Sequence, residues 1–193
     1  EIITTDGRSV LETQESTITE NDAVLFTTSG SSGTPKGVIH THDSLRANAN
    51  IVAQYFGDTS GMHWLACLPP SHVGGFGVIS RALLWNCKLT TVPQFDAEQV
   101  ESLARQGITH TSLVATALGR INSALFENIL LGGAKPPPTL PSNVITTYGL
   151  TETMGGVVYN RTTAKAEEWV KAHGGSFALT PREVAEQSDV VFM

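Results

Sequence analysis

The order of apolar runs along this chain constrains its fold more than any other feature of the sequence. Short apolar and β-branched runs, typical of strands, alternate with stretches of helical periodicity. Such runs occupy residues 63–68, 109–114 and 143–148. Consecutive parallel strands need a crossover between them, and a helix is the usual one. The alternation therefore predicts an α/β fold in which helices are layered on a largely parallel sheet.

Local signals place the helices between these strands. Residues 96–107 predict an amphipathic helix that Asp96 caps and Gly107 ends. A second helix is predicted over residues 74–85, where it begins among glycines. We expect a third helix to begin at a cap provided by Asp43 or Ser44.

Composition excludes several classes of function. The chain has 193 residues, of which 40% are apolar and 16% charged, as in ordinary soluble proteins. A formal charge of −6 and the absence of a Lys/Arg cluster argue against binding to nucleic acid. No apolar run approaches the roughly 18 residues of a membrane span, and no signal peptide is visible. Cys67 and Cys87 lack CxxC spacing, so we expect reduced thiols and a cytoplasmic location.

The stretch "TTSGSSGTPKGV" at residues 27–38 has the composition of a phosphate-binding loop. Its glycines let the backbone curl closely around an anion, and its hydroxyl and amide groups supply hydrogen-bond donors. Lys36 adds a mobile positive charge. The loop differs from the Walker type, in which the lysine follows a glycine and precedes Ser or Thr, because here Lys36 precedes Gly37.

Four stretches, in this order, resemble the motifs of adenylate-forming enzymes, the superfamily of acyl-CoA synthetases, peptide-synthetase adenylation domains and luciferases. They are the glycine loop, "LPPSHVGGFG" at residues 68–77, "LLGGAKPPP" at residues 130–138 and "TYGLTET" at residues 147–153. The resemblance spans roughly residues 20–160. It implies ATP, Mg²⁺ and CoA as ligands, with a small carboxylic acid as the other substrate.

The resemblance also implies a role for each matching residue. The β- and γ-phosphates would lie against Thr28, Ser29, Gly30, Ser31, Ser32, Gly33, Thr34 and Lys36. The adenine would lie against Gly132, Gly133, Ala134, Tyr148 and Gly149, with Tyr148 stacked on its ring. Thr151 would contact the α-phosphate, Glu152 would bind Mg²⁺, and His72 would border the acyl and thiol pocket. The catalytic set implied in this way is Lys36, His72, Thr151 and Glu152.

A narrower resemblance concerns the substrate. The stretches "THTSLVATALGRI", "ILLGGAKPPPTLP" and "ITTYGLTETMGGVVYN" are most similar to o-succinylbenzoate–CoA ligases of menaquinone synthesis. The activity implied is adenylation of an aromatic carboxylate followed by formation of its CoA thioester.

The pattern of the superfamily is incomplete in this sequence. Its members carry a long region before the phosphate loop, a later aspartate for the ribose, and a small mobile domain with a catalytic lysine. No residues after Asn160 match those parts. Two hypotheses therefore stay open at this point, an acid–CoA ligase and a nucleotide-binding fragment without catalytic activity.

Residues 157–193 predict a different segment. This stretch reads as strand, helix, short strand, helix and strand, and as a whole it resembles part of the dinucleotide-binding domain of β-hydroxyacid dehydrogenases. The resemblance implies that Asn160, Arg161 and Thr162 lie beside the ribose. The GxGxxG turn that should precede it is missing, which argues against NADP binding. A fragment of an NADP-dependent β-hydroxyacid dehydrogenase is therefore a third hypothesis, supported by this segment and opposed by the missing turn.

We therefore expect a chimera with three parts. A loose lead-in covers residues 1–20, a ligase core fragment residues 21–156, and a partial Rossmann-like segment residues 157–193. Unpaired strand edges would let the last segment join the ligase-like sheet or pair with a second copy of the chain.

Overall fold

The central feature of the fold is a six-stranded sheet. A computed structural model of the protein describes residues 19–28 and 36–160. The strands of the sheet have the spatial order β4-β3-β5-β6-β7-β8. Their bounds are His63–Ala66 (β3), Lys88–Thr91 (β4), His110–Val114 (β5), Asn128–Gly132 (β6), Val144–Leu150 (β7) and Gly155–Asn160 (β8). Every neighbouring pair is parallel except β7 and β8, so the predicted α/β class with a largely parallel sheet is confirmed.

Four α-helices connect or precede these strands. Their bounds are His42–Phe56 (α1), Val73–Leu84 (α2), Ala97–Arg105 (α3) and Ala115–Leu118 (α4). Asp96 caps α3 as predicted, since its side chain accepts a hydrogen bond from the Gln99 amide. The predicted cap of α1 was wrong, because the hydroxyl of Thr41 accepts from the Ser44 amide instead.

Successive side chains of the buried strands pack on opposite faces of the sheet, so an apolar core forms on each face. On β3, Trp64 packs on the face covered by α1 and α2, whereas Leu65 packs on the face covered by α3 and α4. On β6, Leu130 and Ile129 divide between the same two faces. Because successive side chains of a strand point to opposite sides, each buried strand contributes to both apolar clusters. The sequence predicted helices layered on the sheet, and the structure places them on both of its faces.

The strands on either side of the glycine loop lie outside the main sheet. Asp22–Thr28 (β1) and Lys36–Thr41 (β2) form a two-stranded antiparallel sheet of their own. In this hairpin Thr28 is paired with Lys36, and the loop of residues 29–35 lies outside the described residues. The hairpin packs on α2, where the rings of Phe26 and Phe76 lie 5.5 Å apart, edge to face.

The last described strand extends the ligase-like sheet. β8 is antiparallel to β7 and forms the edge next to it, so residues 158–160 pair with this sheet, which is one of the two arrangements expected for the last segment. The predicted domain boundary at residue 157 falls within β8, and the boundaries stay a prediction. Residues 1–18 of the predicted lead-in and residues 161–193 of the predicted Rossmann-like segment lie outside the described residues. Among residues 19–28 and 36–160, no helix has the length and apolar character needed to cross a membrane.

Candidate active site

A cavity of about 350 Å³ opens at the carboxyl ends of the central parallel strands. It lies beyond β5 and β6, between the start of α2 and the β7–β8 pair. Ligands of open α/β sheets bind in such a position because loops and helix starts converge there. Most of its walls are apolar or backbone, and its lining includes Leu68, Pro69, Val73, Leu113, Val114 and Leu130.

Four of the predicted site residues line this cavity. They come from three separate motifs and are His72, Gly132, Gly133 and Gly149. His72 immediately precedes α2, and its carbonyl oxygen accepts hydrogen bonds from the amides of Gly75 and Phe76. Its imidazole makes no capping bond and is exposed, so it is free to meet a ligand.

Gly132 and Gly133, at the end of β6, form part of the cavity wall. A Cβ atom on Gly132 would lie 2.7 Å from the hydroxyl oxygen of Thr147 on β7, which is closer than such contacts allow. Gly133 has φ of +81°, a conformation that side chains other than glycine rarely adopt. The "LLGG" sequence is therefore required by the packing of β6 against β7 as well as by any ligand.

The turn between β7 and β8 carries the remaining predicted residues. It contains a short 3₁₀ helix, Thr151–Thr153, in which Glu152 is exposed. The hydroxyl of Thr153, which sequence reasoning left without a role, accepts from the Leu150 amide at 3.0 Å and lies 2.7 Å from the Gly155 carbonyl oxygen. Thr153 thereby closes the turn and leaves the Glu152 carboxylate directed away from the core.

The other predicted residues lie beside the cavity rather than in its lining. Tyr148 lies near the end of β7, Thr151 and Glu152 follow that strand, and Ala134 comes two residues after β6. The side chains of Ala134, Tyr148 and Glu152 are exposed. Thr28 ends β1, and Lys36 begins β2. Those on the loop itself, which lie outside the described residues, are Ser29, Gly30, Ser31, Ser32, Gly33 and Thr34.

Arg81 is a site residue that the sequence reasoning missed. It lies on α2, lines the cavity and is only 6% exposed. Within the described part of the chain no carboxylate forms a salt bridge with it, and its Nε atom has no hydrogen-bond partner. Its guanidinium carbon lies 5.9 Å from the centre of the Trp64 ring, a contact that orients the group.

Burial makes the charge of Arg81 costly. Burial lowers the pKa of the guanidinium. The phenol of Tyr159, which is also in the cavity wall, acts to raise that pKa. Arginine nevertheless stays protonated at neutral pH because its ordinary pKa lies far above neutrality. A buried charge without a counter-charge costs several kcal/mol, by order of magnitude. The cavity therefore offers a desolvated cation to an anionic ligand.

The described residues offer few metal ligands. Across residues 19–28 and 36–160 no group of three His, Cys, Asp or Glu side chains could enclose a metal ion. Mg²⁺ in phosphate-transfer sites is commonly held by one or two carboxylates together with the phosphates themselves. The Glu152 carboxylate, exposed in the short helix after β7, is accessible to such an ion.

Comparison with known proteins gives one family and a consistent set of relatives. The model of the AMP-binding enzyme family matches residues 3–186. The 2-succinylbenzoate–CoA ligase of Bacillus mycoides is 33% identical over 156 residues, which are 72% of this chain and 32% of that protein. The corresponding ligase of Enterococcus faecalis is 32% identical over 76% of this chain. The chain thus spans about a third of the length of the curated relatives it matches.

Solved structures agree with this result. A double mutant of o-succinylbenzoate CoA synthetase from Bacillus subtilis, bound to a product analogue, superposes with a TM-score of 0.67 and 28% identity. The match covers 80% of this chain and 34% of that one. The same synthetase in complex with ATP and magnesium ion superposes with a TM-score of 0.62 and 28% identity, over 71% of this chain and 32% of that one.

The comparisons do not support a junction between two unrelated proteins. The family match continues through residue 157, where the second part of the predicted chimera would begin, and it ends at residue 186. The strand that contains residue 157 is also paired with β7 of the ligase-like sheet. The likeness of residues 157–193 to a dehydrogenase segment stays a prediction, because residues 161–193 lie outside the described residues. From the family match and the shared fold, this chain belongs to the AMP-binding enzyme family.

Proposed function

We propose that this chain provides the site at which an ATP-dependent acid–CoA ligase activates its acid, and that the acid is an aromatic dicarboxylate such as 2-succinylbenzoate. The observation that carries the proposal is the buried Arg81 guanidinium in a mostly apolar cavity. An apolar cavity favours an aromatic ring, and a desolvated cation favours a carboxylate on that ring.

The identity of the relatives supports the choice of acid. They act, by name, on 2-succinylbenzoate, which carries one carboxylate on its ring and one on its succinyl chain. We assign the ring carboxylate to Arg81 and the succinyl carboxylate to the reaction at the rim of the cavity. His72, exposed at that rim, would border the reacting acyl group and the incoming thiol.

The nucleotide would bind across the rim at the ends of β6 and β7. Its adenine would lie along Gly132, Gly133 and Ala134 beside Tyr148. The phosphates would extend toward Thr151 and toward the loop between β1 and β2, where Lys36 supplies positive charge.

The first step joins the acid to the nucleotide. A carboxylate oxygen attacks the α-phosphorus of ATP, a new O–P bond forms, the bond to the bridging oxygen breaks, and pyrophosphate leaves. Two anions meet in this step, so donors and cations at the transferring phosphate lower its barrier. Mg²⁺, held by Glu152, would neutralise phosphate charge.

The second step transfers the acyl group to CoA. The sulfur of CoA attacks the acyl carbon, its C–O bond to AMP breaks, and the thiol proton passes to solvent. AMP and the thioester are the products, and the reaction class fits menaquinone synthesis, as the resemblance to ligases of that pathway implies.

Release of pyrophosphate from two matched acids tests this proposal. We expect release with 2-succinylbenzoate and at least about 100-fold less with 4-oxo-4-phenylbutanoate, which lacks only the ring carboxylate that Arg81 would bind. Equal release from both acids would contradict the assignment of Arg81. Binding of ATP without release from either acid would favour the alternative, a nucleotide-binding protein without catalytic activity.

A further inference from the structure

We infer that His40 is a positioning residue that fixes the Thr151–Glu152 turn relative to the hairpin of the phosphate loop; this rests on the proposed function. His40 lies on β2 and is buried, with 4% of its surface exposed. Its Nε2 atom lies 2.7 Å from the carbonyl oxygen of Thr151, 111 residues further along the chain. This short bond links the two motifs that would hold the triphosphate.

The chemistry of the bond defines which ring atom matters. A carbonyl oxygen only accepts hydrogen bonds, so Nε2 of His40 carries a proton and donates it to Thr151. The other ring nitrogen, Nδ1, lies 3.2 Å from the hydroxyl oxygen of Ser44. Ser44 belongs to the first turn of α1, where its amide donates to the hydroxyl oxygen of Thr41. The Ser44 hydroxyl has one proton, for which Nδ1 of His40 and the Thr41 carbonyl oxygen, at 2.9 Å, are the two acceptors. The imidazole is therefore oriented from both of its nitrogens.

Aromatic packing holds the ring from a third direction. Phe26 on β1 lies edge to face with His40, at a ring separation of 6.1 Å. Phe26 also packs against Phe76 on α2, four residues after His72. His40 thus lies where the hairpin, the start of α2 and the β7–β8 turn meet.

The acceptor belongs to the peptide bond that joins Thr151 to Glu152. Because a peptide unit is planar, fixing the direction of this carbonyl also fixes the amide and the Cα atom of Glu152. On the other side, His40 is four residues after Lys36 on the same strand, so the two are separated by a rigid length of about 13 Å. The bond therefore sets the separation between the lysine end of the loop and the carboxylate proposed for Mg²⁺.

Two substitutions separate this role from simple filling of space. The amide nitrogen of a glutamine reaches the position of Nε2, whereas that of an asparagine reaches only the position of Nδ1. His40→Gln should keep the bond to Thr151, and His40→Asn should lose it while both remain polar and small enough to fit. The contrast between the two variants is thus specific to the Thr151 bond.

Hydrogen exchange tests the structural part without any nucleotide. We expect His40→Asn to speed amide exchange in residues 150–156 about tenfold, with β5 and β6 unchanged, and His40→Gln to stay near the wild type. Equal exchange in the two variants would overturn the inference. Faster exchange spread over the whole sheet would also overturn it, because that result indicates general loss of stability.

The Mg²⁺ dependence of ATP binding tests the functional part. The Mg²⁺ concentration for half-maximal ATP binding should rise about tenfold in His40→Asn and little in His40→Gln, with metal-free ATP binding unchanged in both. An unchanged Mg²⁺ dependence in His40→Asn would contradict the link to Glu152. If the wild type bound no ATP, the proposed function itself would fail, and the exchange comparison would still decide whether His40 fixes the turn.

Discussion

Replacing Arg81 by methionine should make the protein more stable and at the same time abolish its binding of the aromatic acid. Exchanging buried charges for apolar residues of similar volume is often neutral or stabilises a fold by about 1–4 kcal/mol. Arg81 has no carboxylate partner among the described residues, so methionine leaves no charge uncompensated. The acid, in contrast, would lose the one buried cation that lines the cavity among the described residues, which we expect to weaken its binding at least about 100-fold.

A gain in stability together with a loss of acid binding would distinguish a ligand-binding role of Arg81 from a role in supporting the fold. Urea unfolding gives the free energy of unfolding, and titration with 2-succinylbenzoate gives the affinity. Arg120→Met is the matched control, because the Arg120 guanidinium also lies over an aromatic ring, 5.1 Å from the centre of Phe95, but is exposed and outside the cavity. A loss of several kcal/mol of stability in Arg81→Met would instead indicate that Arg81 supports the fold through Trp64.

Gly149→Ala should disrupt the site through the backbone alone. A Cβ atom at this position would overlap the carbonyl group of Gly155 on the paired strand β8. The pairing is already irregular between Tyr148 and Gly149, and the two strands approach closely there. Because the overlap involves backbone atoms, no side chain can move aside, and we expect a loss of about 1–3 kcal/mol or more. The cavity wall formed by Gly149 and Gly155 should widen with it.

Thermal unfolding of two alanine variants measures this effect. Gly74→Ala is the control, since its added Cβ would meet nothing within 4 Å and the residue lies in the first turn of α2. Alanine has the higher helix propensity, so the control should be unchanged or stabilised by up to about 1 kcal/mol. Equal melting temperatures for Gly149→Ala and the wild type would show that the β7–β8 pair can separate freely, contrary to the packing described above.

The parallel part of the fold could be predicted because it depends on local patterns. Strand runs such as residues 109–114 and helix caps such as Asp96 are visible in a few consecutive residues. The hairpin of β1 and β2 could not be separated from the main sheet in this way, since both strands look like members of an alternating series. Which strands pair is decided by tertiary packing, here by contacts such as that between Phe26 and Phe76.

Residues of the candidate site that lie in sequence motifs could be predicted. Residues that are distinguished only by their burial could not. His72 and Gly132 were identified from short stretches and do line the cavity. Arg81 differs from an ordinary surface arginine only in being buried, although its spacing from apolar residues along α2 indicates that burial. It lies three residues after Val78 and next to Ala82, on the apolar face of α2. The bond from His40 to Thr151 crosses 111 residues and leaves no local pattern at all.

Calorimetric titration would show whether this chain binds ATP through Lys36 and Glu152. ATP with Mg²⁺ would be titrated into the 193-residue chain, into Lys36→Ala and Glu152→Ala, and into the controls Lys88→Ala and Glu98→Ala. Both control residues are exposed, on β4 and α3, away from the cavity.

We expect the wild type and both controls to bind ATP alike, and each site variant to bind at least about tenfold more weakly. The loss in Glu152→Ala should appear only when Mg²⁺ is present. No binding by the wild type at millimolar ATP, or equal affinity in all five proteins, would show that Lys36 and Glu152 do not hold the nucleotide.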